Sequence, residues 1–171
     1  MTHNLRIGLG YDIHRTRLPA AGGAGDDHIW LGGAKIPAPF SLVGHSDADV
    51  LLHAVTDAIL GALADYDIGH YFPPSDAANK DRPSRDFLSF ALERMRARGY
   101  TIGNIDCNII CEAPRIAPVR EDIRSSLASL AGINPDQVSI KGRSNEKVDA
   151  VGRGEAVVCQ AAVLLLSESR S

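Results

Sequence analysis

Asp12 and His14 stand two residues apart in a segment that alternates as a strand does, so both side chains point to one face. A third imidazole, His53, comes from a helical stretch and could close a tripod over that face. Carboxylate oxygen and imidazole nitrogen suit zinc, and three protein ligands leave a fourth tetrahedral position open for substrate or water. An ion held in this way acts as a Lewis acid on a phosphoryl oxygen. His53 is the better helix ligand because Asp49 and Asp57, four residues to either side, share its helix face and could orient it. The competing reading is structural: D-x-H is a short, common pattern, and a lone histidine on a helix is often a satisfied polar residue.

Other segments carry weaker signals. Gly44-His45-Ser46 precedes the helix, whose first amides and positive dipole end could receive a phosphate with help from His45 and the Ser46 hydroxyl; a plain helix cap at Ser46 is the leading reading, and Ser46 could do both. Lys141 to Lys147 combines cations, hydroxyl and amide donors and Glu146 in a turn, suited to a diphosphate with a divalent cation or to a solvated loop. Arg153 sits between Gly152 and Gly154, where the backbone can be approached closely. Asp106 and Glu112 read as solvent-facing or capping groups.

The elements that must position these groups follow from periodicity. Residues 5–14 form a strand, 29–37 a hairpin turning at Gly32-Gly33, and Ser46 opens a helix through Val50, Leu51, Ala54, Val55, Ala58, Ile59 and Ala62 that ends near residue 63 or 64. Residues 67–76 read as a loop, a second helix starts at Ser84 and stops at Gly99, and 100–111 form a strand. A third helix is expected over 114–130, a short strand over 138–141, and a nearly unbroken apolar strand over 155–166, of the kind covered on both faces. Residues 18–28, rich in Gly, Ala and Asp, form a surface loop. The expected fold is α/β (α+β), one domain over 1–171 with a mixed sheet and helices on one face.

Composition narrows the partners. The chain has 171 residues, 44% of them hydrophobic, enough for a sizeable core. Its net charge of −3, with both signs interspersed, offers no footprint for nucleic acid or an anionic membrane. The longest apolar run is too short to span a bilayer, and the first residues carry no signal segment. The three cysteines, Cys107, Cys111 and Cys159, fit a reducing cytoplasm. On a strand Cys107 and Cys111 would lie about 13 Å apart, so they are read as buried structural thiols rather than ligands of one metal.

Six motifs in order, Gly10-Tyr11-Asp12-Ile13-His14, residues 44–53, Asp67-Ile68-Gly69, Phe72-Pro73-x-x-Asp76, Ala113-Pro114-Arg115 and residues 152–155, closely resemble the 2-C-methyl-D-erythritol 2,4-cyclodiphosphate synthase family of the non-mevalonate isoprenoid pathway. The resemblance implies a cytoplasmic homotrimer with active sites between neighbouring subunits, a lyase that releases CMP from 4-diphosphocytidyl-2-C-methyl-D-erythritol 2-phosphate. It implies zinc on Asp12, His14 and His53, and magnesium or manganese on Glu146. His45 and Ser144 match the transition-state stabilisers, with Ser46 at the methylerythritol phosphate. Asp67, Gly69, Phe72 and Asp76 match the erythritol pocket, Cys111, Ala113, Pro114 and Ala117 the cytosine segment, and Arg143, Ser144, Asn145 and Glu146 the diphosphate loop. Arg153 matches a residue near the trimer axis, where an isoprenoid diphosphate can occupy a central, sheet-lined cavity.

The chain departs from the family pattern in three places. Arg143-Ser144-Asn145 replaces a run of threonines, Asp149-Ala150 replaces a Gly-aromatic pair, and Asp81-Arg82-Pro83-Ser84 replaces Gly-Ala-Asp-Ser beside a longer loop at 17–28. Two rival functions share the same residues: a zinc phosphohydrolase using the tripod to activate water, and a non-catalytic trimer that binds isoprenoid diphosphates.

Overall fold

Residues 3–17 alternate small or polar with bulky apolar side chains, and in the computed structural model they form the long strand β1 (His3–Arg17). The structure describes residues 3–19, 28–44, 46–73, 75–76, 79 and 82–168. β2 (His28–Leu31) and β3 (Ala34–Pro37) make the expected hairpin, with Gly32 and Gly33 at φ 63° and 79°, a region glycine reaches without a Cβ penalty. There follow β4 (Ser41–Val43), α1 (Val50–Ala62), α2 (Ile68–Tyr71), α3 (Ser84–Ala97) and β5 (Thr101–Ile110). The chain ends through α4 (Arg120–Ala131), β6 (Val138–Arg143), α5 (Asp149–Gly152) and β7 (Ala156–Glu168).

Five strands form one sheet in the order β4-β1-β7-β5-β6. All neighbours are antiparallel except β5 and β6, whose parallel pairing requires the crossover that α4 provides. The buried side chains of α1, Leu51, Ala54, Val55, Ala58 and Ile59 among them, join Cys159, Ala161, Val163 and Leu165 of β7 in a single core. Gly8 and Gly10 let α1 lie directly on β1. A Cβ at Gly8 would stand 1.7 Å from the Ala58 carbonyl oxygen, and one at Gly10 would stand 1.8 Å from that of Ala54.

The opposite face of β1 carries Leu5, Ile7, Leu9, Tyr11 and Ile13, each between 46% and 77% exposed. Helices therefore cover one face of the sheet, as expected. β7, which reads as covered on both faces, leaves Gln160 exposed and Ala162, Leu164 and Leu166 only partly covered within the chain.

Four sequence expectations shift. β1 continues to Arg17, and the short elements β4, α2 and α5 escape a periodicity that needs several residues to show. The third helix begins at Arg120 rather than at residue 114. A helix from 114 would lack the amide that Pro118 should donate to the Pro114 carbonyl, and residues 117–119 instead make a 3-10 turn. Asp49, not Ser46, caps α1: its carboxylate accepts from Leu52 N at 3.0 Å. The surface loop expected at 18–28 falls largely outside the described residues, as does His45.

The ends of α1 and α3 are tied by Asp65, a carboxylate whose side chain is 5% exposed. It accepts from the Tyr71 hydroxyl at 2.5 Å, from Arg94 at 2.9 and 2.7 Å, and from Arg98 at 2.7 Å. The Tyr71 hydrogen bond first, then Arg94, outweigh burial and hold the Asp65 pKa down at about 2. Asp65→Ala is expected to lower stability by about 1–3 kcal/mol in urea unfolding, the arginines being partly solvated. A depressed carboxylate stabilises the fold above the ordinary carboxylate range and loses that contribution as pH falls toward its folded value. The difference between the two proteins should therefore be constant near neutrality and shrink in strong acid.

Candidate metal centre and active site

β1 and α1 bring the tripod together. Asp12 Oδ2 lies 3.0 Å from His14 Nε2 and 2.9 Å from His53 Nδ1, and the two imidazole nitrogens are 3.0 Å apart. Asp12 and His14 extend the face of β1 on which Gly8 and Gly10 admit the helix, so His53 reaches them from one turn beyond Asp49. The remaining nitrogen of His14, Nδ1, donates to the Val43 carbonyl of β4 at 3.0 Å, so in the neutral ring Nε2 has its lone pair on the side of Asp12. A carboxylate oxygen and imidazole lone pairs converging this closely are a donor set that a cation satisfies. Among the described residues this is the group of His, Cys, Asp and Glu with metal-site spacing.

Without an ion the two rings can carry protons toward Asp12: burial alone would raise its pKa, but hydrogen bonds from His14 and His53 outweigh it and lower it well below the carboxylate range, and a cation entering the tripod displaces those protons. Burial works against protonation of His14, and Asp12 more than reverses that, raising its pKa.

Asp49 and Asp57 do different work from that expected. Asp49 is wholly buried and, besides capping α1, accepts from Gly32 N and Gly33 N at 2.9 and 2.7 Å, so it ties the hairpin to the helix. Burial pushes its pKa up against the pull of these amides. Asp57 accepts from Ile68 N at 2.8 Å and anchors the loop that carries Asp67 and Gly69. Asp67 in turn caps α2, accepting from His70 N at 2.9 Å.

A 170 Å³ cavity opens beside the tripod, lined by His14, Ser46, His53, Gly69, Phe72 and Phe87 with Ile68 and Asn79. Phe72 packs at a tilt against Phe87, ring centroids 4.7 Å apart, and makes an apolar wall, while the Arg82 guanidinium lies 5.2 Å from the Phe72 ring centre. Asp76 is at the rim of this loop, its amide donating to the Pro73 carbonyl at 3.0 Å. Asn79 carries no local sequence signal; its side chain donates to Pro73 O at 3.1 Å and holds that loop.

The residues that the resemblance assigns to the diphosphate and cytosine lie elsewhere. Cys111, Pro114, Ala117, Arg143 and Ser144 line a 430 Å³ cavity that also receives Arg115 and Arg120. The Cys111 amide donates to Arg143 O at 2.9 Å, and Ala113-Pro114 is a cis bond. Ser144 donates to Glu146 Oε1 at 2.8 Å, and Asn145 N donates to Glu112 at 3.2 Å, which gives Glu112 a definite role. Glu146 and Lys147 have φ 50° and 62°, so this loop doubles back tightly. Asp106, read as solvent-facing, pairs with Lys141 at 2.6 Å. Burial pushes the Cys111 thiol up to about 11 and Cys107 to about 12, so neither is a thiolate at neutral pH.

Arg153 belongs to neither cluster. It pairs with Glu155 at 2.8 and 3.0 Å beside a 760 Å³ cavity lined by Ile13, Arg15, Thr16 and Ala150 among others. Within one chain, then, the tripod on β1 and the basic pocket on β6 are separated by β7 and β5 and open into different cavities.

With this geometry in view, the sequence matches the YgbB family over residues 5–166. The chain belongs to that family. It is 48% identical over 163 residues to the 2-C-methyl-D-erythritol 2,4-cyclodiphosphate synthase of Cereibacter sphaeroides strain ATCC 17029, covering 95% of this chain and 98% of the relative. It is 46% identical over 165 residues to the synthase of the same name from Xanthomonas axonopodis pv. citri, covering 96% and 95%. A solved structure described as IspF (Plasmodium falciparum) CDP complex superposes with a TM-score of 0.83 at 34% identity, covering 99% of this chain and 100% of that one. The family match spans the tripod, the loop at 67–76 and the basic pocket alike. Among the described residues, no helix is long and apolar enough to cross a membrane.

Proposed function

We propose that this YgbB-family chain is a cyclodiphosphate synthase. It converts 4-diphosphocytidyl-2-C-methyl-D-erythritol 2-phosphate to 2-C-methyl-D-erythritol 2,4-cyclodiphosphate and CMP in isoprenoid precursor synthesis. An oxygen of the 2-phosphate attacks the β-phosphorus, and the bond from that phosphorus to the oxygen of the CMP phosphate breaks. The observation that carries this reading is the Asp12, His14, His53 tripod opening on a small, partly apolar cavity, in a chain 48% identical to a curated synthase.

Asp12, His14 and His53 would hold zinc, and Glu146 magnesium or manganese, which supply Lewis-acid polarisation and charge neutralisation at the diphosphate. Fixed by Val43 O, His14 keeps its Nε2 lone pair toward the site. The free lone pairs of Asp67 would take erythritol hydroxyl protons, with Gly69 and Asp76 shaping the same pocket and Phe72 and Phe87 excluding water from it. Ser46 would donate to the methylerythritol phosphate. His45 and Ser144 would stabilise charge on the transferring phosphoryl group, and Arg143 and Asn145 would hold the diphosphate. Cys111, Ala113, Pro114 and Ala117 would enclose cytosine.

The active protein would be a homotrimer. An exposed apolar stripe on β1 and the incompletely covered β7 support burial against another copy. The location of the tripod and the basic pocket in separate cavities supports a site completed between subunits. Arg153 would then stand near the shared axis, beside a cavity able to take an isoprenoid diphosphate. Buried, unpaired cysteines support a cytoplasmic setting, and the nearly full-length family match supports one domain.

Phosphorus NMR of the substrate with protein and magnesium tests the reaction class. The expected products are a cyclic diphosphate and CMP in equal amounts. A linear product with two separate phosphate monoesters, released with CMP, would instead identify a phosphohydrolase, and unchanged substrate a binding protein.

A further inference from the structure

His53 shows its two ring nitrogens to different surroundings. Nδ1 faces Asp12 and His14, whereas Nε2 lies 2.8 Å from Ser84 Oγ and 3.2 Å from Ser46 Oγ. Ser84 is fully buried at the start of α3, and its hydroxyl also meets Asp47 Oδ1. A carboxylate only accepts, and a serine has one proton to give. That proton goes to Asp47, so the Ser84 oxygen meets His53 as an acceptor and Nε2 carries the ring proton. Nδ1 is left with its lone pair toward the tripod, which is the tautomer a metal ligand needs.

We propose that Asp47 and Ser84 are positioning residues that fix the tautomer and orientation of His53 for metal binding. Metal-bound histidines usually hand their outer proton to a carboxylate, carbonyl or water. Here the carboxylate acts through a serine, reaching from the loop before α1 to α3 and back to α1. Asp47 Oδ1 also accepts the Ser84 amide at 3.1 Å, so the hydroxyl is held by its own backbone. Ser46 Oγ, fixed by the Ala48 amide at 3.1 Å, stands 3.3 Å from Ser84 Oγ and closes the cluster. The Phe87 ring, 5.6 Å from that of His53, limits its tilt. The two histidines are thus held by unrelated devices, His14 by a strand carbonyl and His53 by a relay that depends on where α3 packs.

The inference rests on the metal-centre reading, so its test separates the two. Zinc affinity is measured by competition with a chromogenic chelator. The His53 tautomer is read in metal-free protein from long-range proton–nitrogen NMR, at a pH where the ring is neutral. The unaltered protein should bind zinc and show the Nε2–H form. Ser84→Ala should weaken zinc by about 10- to 100-fold, the range seen when such outer partners are removed. Asp47 is exposed, so Asp47→Ala keeps the core intact and carries the test if Ser84→Ala does not fold. It frees the Ser84 proton to donate to Nε2, which should shift His53 toward the Nδ1–H form and weaken zinc about tenfold. Asp47→Asn keeps an oxygen acceptor and should restore both tautomer and affinity. Unchanged affinity and tautomer in Asp47→Ala would overturn the relay alone. No zinc binding by the unaltered protein would overturn both it and the metal-centre reading.

Discussion

His53→Ala is expected to abolish tight zinc binding and to slow CMP release by about 10³-fold, the scale on which loss of one stabiliser of transition-state charge is felt. His53 supplies the tripod's only atom from α1; Asp12 and His14 come from a single strand and cannot surround an ion by themselves. The substitution leaves the fold in place, because α1 is held by Leu51, Ala54, Val55, Ala58 and Ile59 on the core side. Thermal unfolding of the metal-free proteins should therefore differ little, while zinc content and CMP release fall together. CMP release within about tenfold of the unaltered protein would mean that this side chain takes no direct part.

Gly10→Ala should cost more in stability than any single change at the site. The added methyl would sit 1.8 Å from the Ala54 carbonyl oxygen and 2.8 Å from the Ala58 amide nitrogen, both backbone atoms of α1. No side-chain rotation relieves that overlap, so the helix must move away from β1, and a loss of about 3 kcal/mol or more is expected at the upper end of overpacking effects. Because His53 is carried on the displaced helix, zinc affinity should fall as well. Gly61 on the same helix is the contrast: its added methyl would have only Leu9 O at 3.8 Å, so Gly61→Ala should be neutral or stabilising by up to about 1 kcal/mol. Urea unfolding of the two variants checks both signs.

The scaffold was legible where local pattern and tertiary demand agree. The period-two alternation of β1 placed Asp12 and His14 on one face, and the helical spacing from Val50 to Ala62 placed His53 above them. The glycine pair at 32 and 33 marked its hairpin because few other residues adopt that backbone. The helix cap was misassigned because Ser46 and Asp49 are both good cap residues three positions apart. What selects Asp49 is its recruitment by the amides of Gly32 and Gly33, a contact across the fold that no local pattern encodes. Asp47 and Ser84 escaped notice for the same reason: a serine at a helix start reads as a start signal, and its partner lies 37 positions away. The separation of the tripod from the basic pocket was also invisible, since strand order is a property of the sheet and not of any segment.

An ion at Asp12, His14 and His53 is what would tie this fold to the chemistry. The decisive measurement is CMP release, with metal content by mass spectrometry, from protein as purified, after chelation, and after reloading with zinc under constant magnesium. About one zinc per chain is expected, with activity lost when that zinc is removed and regained in proportion to zinc restored. Full CMP release from zinc-free protein would contradict this.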